Sequence, residues 1–250
     1  MGERPGRRHG PGPVTAPTDG PTLAGTFDAV LFDLDGVLVD SEALAAGVWV
    51  RTLAEHGLPL ALNDFAHLAV GQTFPNVLVR LADLHGWTPT DAFLPILEDR
   101  FNAAFDTLDA IDGARDTLRG LRDRGVPFAV GSNSERGRLH MKLASAGLAG
   151  LVGTHAYDPS WVGGRGKPEP DLYAFAAAQL GADITRCVVV EDSVPGATAG
   201  VRAGATVIGL LATGHAHPDD AAHLHAAGVR HVVTSHAQLQ HLLGLPTATP

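Results

Sequence analysis

The chain has 250 residues, 45% of them hydrophobic and 6% aromatic, enough for one domain, or a domain with an insert, around a core of Ala, Val and Leu. Its formal net charge of -9, with no basic block beyond Arg4, Arg7 and Arg8, offers no counterpart to nucleic acid or to an anionic membrane surface. The single cysteine, Cys187, excludes an intrachain disulfide; no apolar run approaches the roughly 18 residues of a membrane span, and no apolar stretch follows the basic start, so a cytoplasmic protein is expected.

Residues 1–24 are rich in Pro, Gly and Arg with no apolar period and are expected to form a disordered tail. Phe27 to Phe32 then reads as a buried strand running into Asp33-Leu34-Asp35-Gly36. From 42 to 110 the apolar residues recur at helical spacing: Leu44, Val48 and Leu53; Val77, Leu78 and Leu81; Phe93, Leu97, Phe101 and Phe105. Breakers separate these stretches at Gly57-Leu58-Pro59, at Gly71 and from Gly86 to Pro89, so the segment reads as a helical insert. Beyond it strands alternate with helices: a helix over 113–124, a strand over 126–130, helices over 135–146 and 170–180, and a strand over 187–190. A helix then runs to Ala203 with Gly204 at its C-cap, followed by a strand over 206–211, a helix over 218–227 and a strand over 231–234. That alternation predicts an α/β protein: a parallel sheet covered on both faces, whose core takes residues 25–41 and 111–250, with ligands at the C-terminal ends of the strands.

The polar clusters fall at those ends. Asp33 and Asp35 stand two apart after the first strand, and Glu191 and Asp192 follow another; carboxylates so crowded call for a hard divalent cation with oxygen ligands, unless they are separate solvated turns. Ser132 and Asn133 follow a third strand, where a hydroxyl, an amide and backbone N–H groups make an anion cradle, and Ser134 is placed to cap the helix beginning at Glu135. Of 18 basic residues only Lys142 and Lys167 are lysine. Lys142 lies on an amphipathic helical stretch and needs no special reason there. Lys167, between Gly166 and Pro168, is either a fixed point charge for a phosphate or carboxylate, or an exposed lysine in a turn. Cys187 reads as core filling, and the histidines His215, His217, His223, His225, His231 and His236 as surface residues. Trp161 either lines an entrance or covers the core.

In this order the clusters resemble the four motifs of the haloacid dehalogenase superfamily: Asp33 to Glu42 the first, Gly131-Ser132-Asn133 the second, Gly166 to Asp171 the third and Val190 to Gly196 the fourth, over about residues 26–240. The resemblance implies a Rossmann-like core with a helical cap inserted over 42–110, and an enzyme that is a phosphoric monoester hydrolase. It implies Asp33 as nucleophile, Asp35 as the group that protonates the leaving oxygen and then takes a proton from water, and Ser132, Asn133 and Lys167 as holders of the phosphoryl oxygens. Mg2+ would be bound by the Asp33 carboxylate, the Asp35 carbonyl and Asp192, with Glu191 touching the ion or supporting those that do. The acid at Asp35 points to phosphate esters, since the family's phosphonatases carry alanine there. A sugar phosphomutase is the neighbouring alternative, but Ala45 stands where such mutases carry a histidine and Phe74 where they carry a cap arginine; a noncatalytic phosphometabolite-binding protein is the other. A small phosphate ester is the expected partner and a monomer the expected state, with Gln72, Thr73 and Asn76 in the cap as candidates for selecting the substrate.

Overall fold

A computed structural model describes residues 22–69, 74–214 and 219–246. In chain order the elements are β1 (Ala29–Phe32), α1 (Ser41–Glu55), α2 (Leu62–Ala69), α3 (Phe74–His85), α4 (Phe93–Phe105), α5 (Ala114–Asp123), β2 (Phe128–Gly131), α6 (Arg136–Ser145), α7 (Ala149–Val152), β3 (Ala156–Tyr157), α8 (Asp171–Gln179), β4 (Cys187–Glu191), α9 (Val194–Ala203), β5 (Thr206–Leu210), α10 (Asp220–Ala226), β6 (His231–Val233) and α11 (His236–Leu242). The six strands form one parallel sheet in the order β3-β2-β1-β4-β5-β6.

Short strands of Val, Leu, Ile and Phe, buried on both sides, give the sheet its period of two. Val30 and Phe32 join Val188, Val190 and Ile208 in one core with Leu118, Leu121, Leu139 and Leu239. Ala29 and Leu31 face the other way, with Val189 and Val207, against Tyr173, Ala176, Ala197 and Leu224. Cys187 belongs to this second core, and burial pushes its thiol up to about 11, with Asp28 and Asp183 adding to the shift. Strand order turns outward in both directions from the β1/β4 pair, and such a switch point opens a crevice at the carboxyl ends of the strands. The register aligns Phe32 with both Val130 and Val190, so Asp33, Gly131 and Glu191 are the next residues in line at that crevice.

The chain leaves the sheet after β1 and comes back beside its own exit: Val39 bridges Ala110, and Ile111 N donates to Leu38 O at 2.9 Å. Between these points lie only helices among the described residues, α1 to α4. They pack around Trp49, whose ring centroid lies 5.1–6.3 Å from those of Phe65, Phe74, Phe93 and Phe101.

Several expectations need correction. Leu23, placed in the tail, donates its backbone N–H to Leu242 O at 2.7 Å and packs on the first core. Helix α2 was not foreseen, because it buries only Phe65 and Leu68, too few for a visible period. Nor were β3, two residues long, or α11, which begins two residues after the last expected strand. His236 is not a surface residue: it is wholly buried, unlike the exposed His223 and His225. Gln72, Thr73, His215 and His217 lie outside the described residues.

Candidate active site

At the carboxyl end of β1, Asp33 sits almost out of solvent, its backbone N–H bonded to Val190 O at 3.0 Å. Lys167 reaches it from the loop before α8. The ammonium lies 2.5 Å from Asp33 Oδ1 and 2.6 Å from Glu191 Oε1, with the lysine side chain only 5% exposed. Lys167 is therefore no exposed turn residue. Its loop is held by Asn133, whose Nδ2 donates to Lys167 O at 3.0 Å and whose Oδ1 accepts from Lys167 N at 2.9 Å; the Lys167–Pro168 peptide is cis.

Glu191 is the fully buried centre of this arrangement. Its Oε1 accepts from Lys167 and from the Tyr173 hydroxyl at 2.7 Å. Its Oε2 accepts from the backbone N–H groups of Asp192 and Ser193, at 3.1 and 3.2 Å, and from Ser193 Oγ at 3.0 Å. Ser193 in turn caps α9 by accepting from Gly196 N. Close approach accounts for both motif glycines, with a left-handed backbone as a second reason at Gly36. A Cβ at Gly196 would fall 1.7 Å from Glu191 Oε1, and one at Gly36, where φ is 77°, would fall 1.8 Å from Asp192 Oδ2.

Asp35, two residues on, is held in a separate nest. Its Oδ1 accepts from Lys142 Nζ at 2.6 Å and from the Ser41 hydroxyl, and its Oδ2 accepts from Ser134 Oγ at 3.0 Å. Ser134 therefore serves Asp35 instead of capping the next helix; Glu135 takes that place, its carboxylate accepting from Gly137 N. Ser132 is buried beside them, its Oγ accepting from Ser134 N at 3.0 Å. Asn76 is exposed on α3.

Lys142 is the residue that sequence reasoning passed over. The signal was present: with Leu139, Leu143 and Ala146 it follows the i, i+3, i+4, i+7 spacing of a buried helix face, where a lysine is out of place unless paired.

The electrostatics follow from burial. Burial pushes Asp33 up to about 7, against the Lys167 ammonium and with the Glu191 and Asp35 carboxylates. Burial also acts to lower Lys167, but Asp33 and Glu191 more than reverse it and the ammonium is stabilised. For Asp35, burial is outweighed by Lys142, Ser41 and Ser134, which hold the carboxyl below its ordinary range. Tyr173 stays protonated, raised by burial and by Glu191, and so remains a donor.

Asp33, Glu191 and Asp192 offer carboxylate oxygens within 4.8 Å of one another. Four carboxylates (Asp33, Asp35, Glu191, Asp192) stand with two ammonium groups (Lys142, Lys167), an oxygen-rich set of the kind that suits a hard divalent cation. Both Glu191 oxygens accept from N–H and O–H donors, the Lys167 ammonium among them.

A model of the haloacid dehalogenase-like hydrolases matches residues 27–204. The chain belongs to the haloacid dehalogenase-like hydrolase family. It is 29% identical over 193 residues to hexitol phosphatase A of Escherichia coli strain K12, covering 73% of this chain and 82% of that enzyme. With the bifunctional riboflavin kinase/FMN phosphatase of Arabidopsis thaliana it shares 30% identity over 194 residues, 72% of this chain but only 48% of that longer protein. A haloacid dehalogenase family hydrolase of Deinococcus radiodurans R1, crystallised with bound phosphate and sodium, superposes with a TM-score of 0.80 at 60% identity, covering 88% of this chain and 96% of that one. The family's parallel sheet and helical cap are the fold described above, as the order of the motifs had led us to expect.

Proposed function

We propose that the protein is a magnesium-dependent phosphatase that hydrolyses a small phosphorylated metabolite, such as a sugar phosphate, through an aspartyl-phosphate on Asp33. The observation that carries this reading is the buried Asp33 carboxylate with Lys167 at 2.5 Å, beside Asp192 and two residues before the separately held Asp35. Likeness to enzymes named as phosphatases of a hexitol phosphate and of FMN supports the reaction class.

Asp33 attacks phosphorus, the bond to the leaving oxygen breaks, and Asp35 in its protonated form delivers a proton to that oxygen. Water then attacks phosphorus, the bond to Asp33 breaks to release inorganic phosphate and the free carboxylate, and Asp35, now ionised, accepts the proton from the water. The ionised form is the one that Lys142, Ser41 and Ser134 hold in this arrangement. Lys167 and the Ser132–Asn133 turn at the end of β2 bind the phosphoryl oxygens, and Asn133 fixes the height of Lys167 by clamping its backbone. When bound, by Asp33, Asp192 and the Asp35 carbonyl, Mg2+ supplies charge neutralisation that lets an anionic carboxylate approach an anionic ester. Glu191 supports Lys167. A mutase would grip a second phosphate with the cap, but the position expected to carry that cation holds Phe74, whose ring packs on Trp49.

The test is phosphate release from a panel of sugar, sugar-alcohol and sugar-acid phosphates and an aryl phosphate, with and without Mg2+. Magnesium-dependent release that Asp33→Asn abolishes is expected. Release that persists in Asp33→Asn, or no release from any ester, overturns the proposal.

A further inference from the structure

We propose that Lys142 is a positioning residue for Asp35, aiming its carboxyl group at the leaving oxygen and tying that aim to the cap. The inference rests on Asp35 acting as the proton-transfer group.

The Lys142 side chain runs from the buried face of α6, 6% exposed, and its ammonium meets Asp35 Oδ1 at 2.6 Å and Ser134 Oγ at 3.3 Å. Asp35 Oδ1 also receives the Ser41 hydroxyl, and Oδ2 receives Ser134, so donors from three elements fix both oxygens and with them the plane of the carboxyl group. Two of the groups converging here belong to the ends of the cap. Ser41 is the first residue of α1. Phe105 is the last of α4, and its ring centroid lies 4.8 Å from the Lys142 ammonium. One turn earlier on α6, Arg138 pairs with Glu98 of α4 and lies over the Phe101 ring. The cap's return helix therefore packs on the same helix that carries Lys142.

Stability gives no reason for an ammonium at this position. A buried lysine–carboxylate pair is no more stabilising than apolar side chains filling the same volume, because desolvation offsets the attraction. Direction gives one. Without Lys142 each Asp35 oxygen keeps one hydroxyl donor that turns on its own Cβ–Oγ bond, and both the charge-assisted anchor on Oδ1 and the tie that holds Ser134 are lost. Proton transfer needs the oxygen held within hydrogen-bond reach of the leaving group.

The experiment compares kcat/KM for 4-nitrophenyl phosphate, whose leaving group needs no proton, with that for a simple alkyl phosphate, whose leaving group does. The variants are Lys142→Met, Lys142→Arg and Asp35→Asn, assayed with Mg2+. Lys142→Met is expected to lose about tenfold more on the alkyl ester than on the nitrophenyl ester, part of the roughly 10²–10⁴ that a general acid supplies. Asp35→Asn should show the same bias more strongly, and Lys142→Arg should recover much of the ratio. If Lys142→Met fails to fold, Lys142→Gln, which keeps a donor but not the charge, takes its place. Equal losses on both esters in the Lys142 variants, beside a biased Asp35→Asn, overturn the role of Lys142 alone. An unbiased Asp35→Asn overturns the role of Asp35 and this inference with it.

Discussion

Glu191 shows how single residues set this site. A wholly buried carboxylate is tolerated because five donors surround it, and three of them come from the turn that starts α9. That geometry needs an open side at Gly196. Gly196→Ala is expected to cost about 1–3 kcal/mol in chemical denaturation, since a Cβ there would overlap the carboxylate. Unchanged stability would mean that Glu191 has another place to go. The acidic pairs, Ser132 and Asn133 stood out in the sequence as polar residues after strands, and Lys167 as a lysine set between Gly166 and Pro168 in a loop. What each one touches did not. The division between an Asp33 nest and an Asp35 nest depends on side chains 107 and 134 residues away in the chain, which no local pattern encodes.

At the scale of elements, the clearest surprise is how α11 is pinned. His236 opens it, with Nδ1 3.0 Å from Thr117 Oγ1 on α5 and Nε2 2.8 Å from Val37 O, in the loop after Asp35. A carbonyl can only accept, so Nε2 carries a proton. Burial lowers its pKa from 6.5, against the Val37 hydrogen bond and Asp112. A group depressed on folding contributes stability that is present above its unfolded value of 6.5 and lost as pH falls through the folded one. His236→Gln should therefore weaken the decline of stability between pH 7.5 and pH 5, read from urea midpoints. A decline as steep as in wild type would show that His236 carries none of it. No sequence signal singled out this histidine among its neighbours, because α11 is seven residues long and shows less than two full turns of period.

The whole molecule is a doubly wound sheet whose order reverses between β1 and β4, with a helical cap emerging from and returning to the same edge. This much was readable, because strands buried on both faces are continuous apolar runs and the cap interrupts them with a helical period. The two-residue β3 fell below the length at which any period shows. Topology explains why four sequence-distant clusters meet: the switch point is where strand ends part, and the register brings Asp33 and Glu191 level there. Among the described residues no helix is long and apolar enough to cross a membrane. Whether Asp33 becomes the phosphoryl carrier is read by acid-quenching the enzyme during turnover of a phosphorus-labelled aryl phosphate with Mg2+ and mapping the label. Acid-stable label is expected on the peptide carrying Asp33, and none in Asp33→Asn. Phosphate release with no label on the protein at any quench time, or label on another residue, would contradict that role for Asp33.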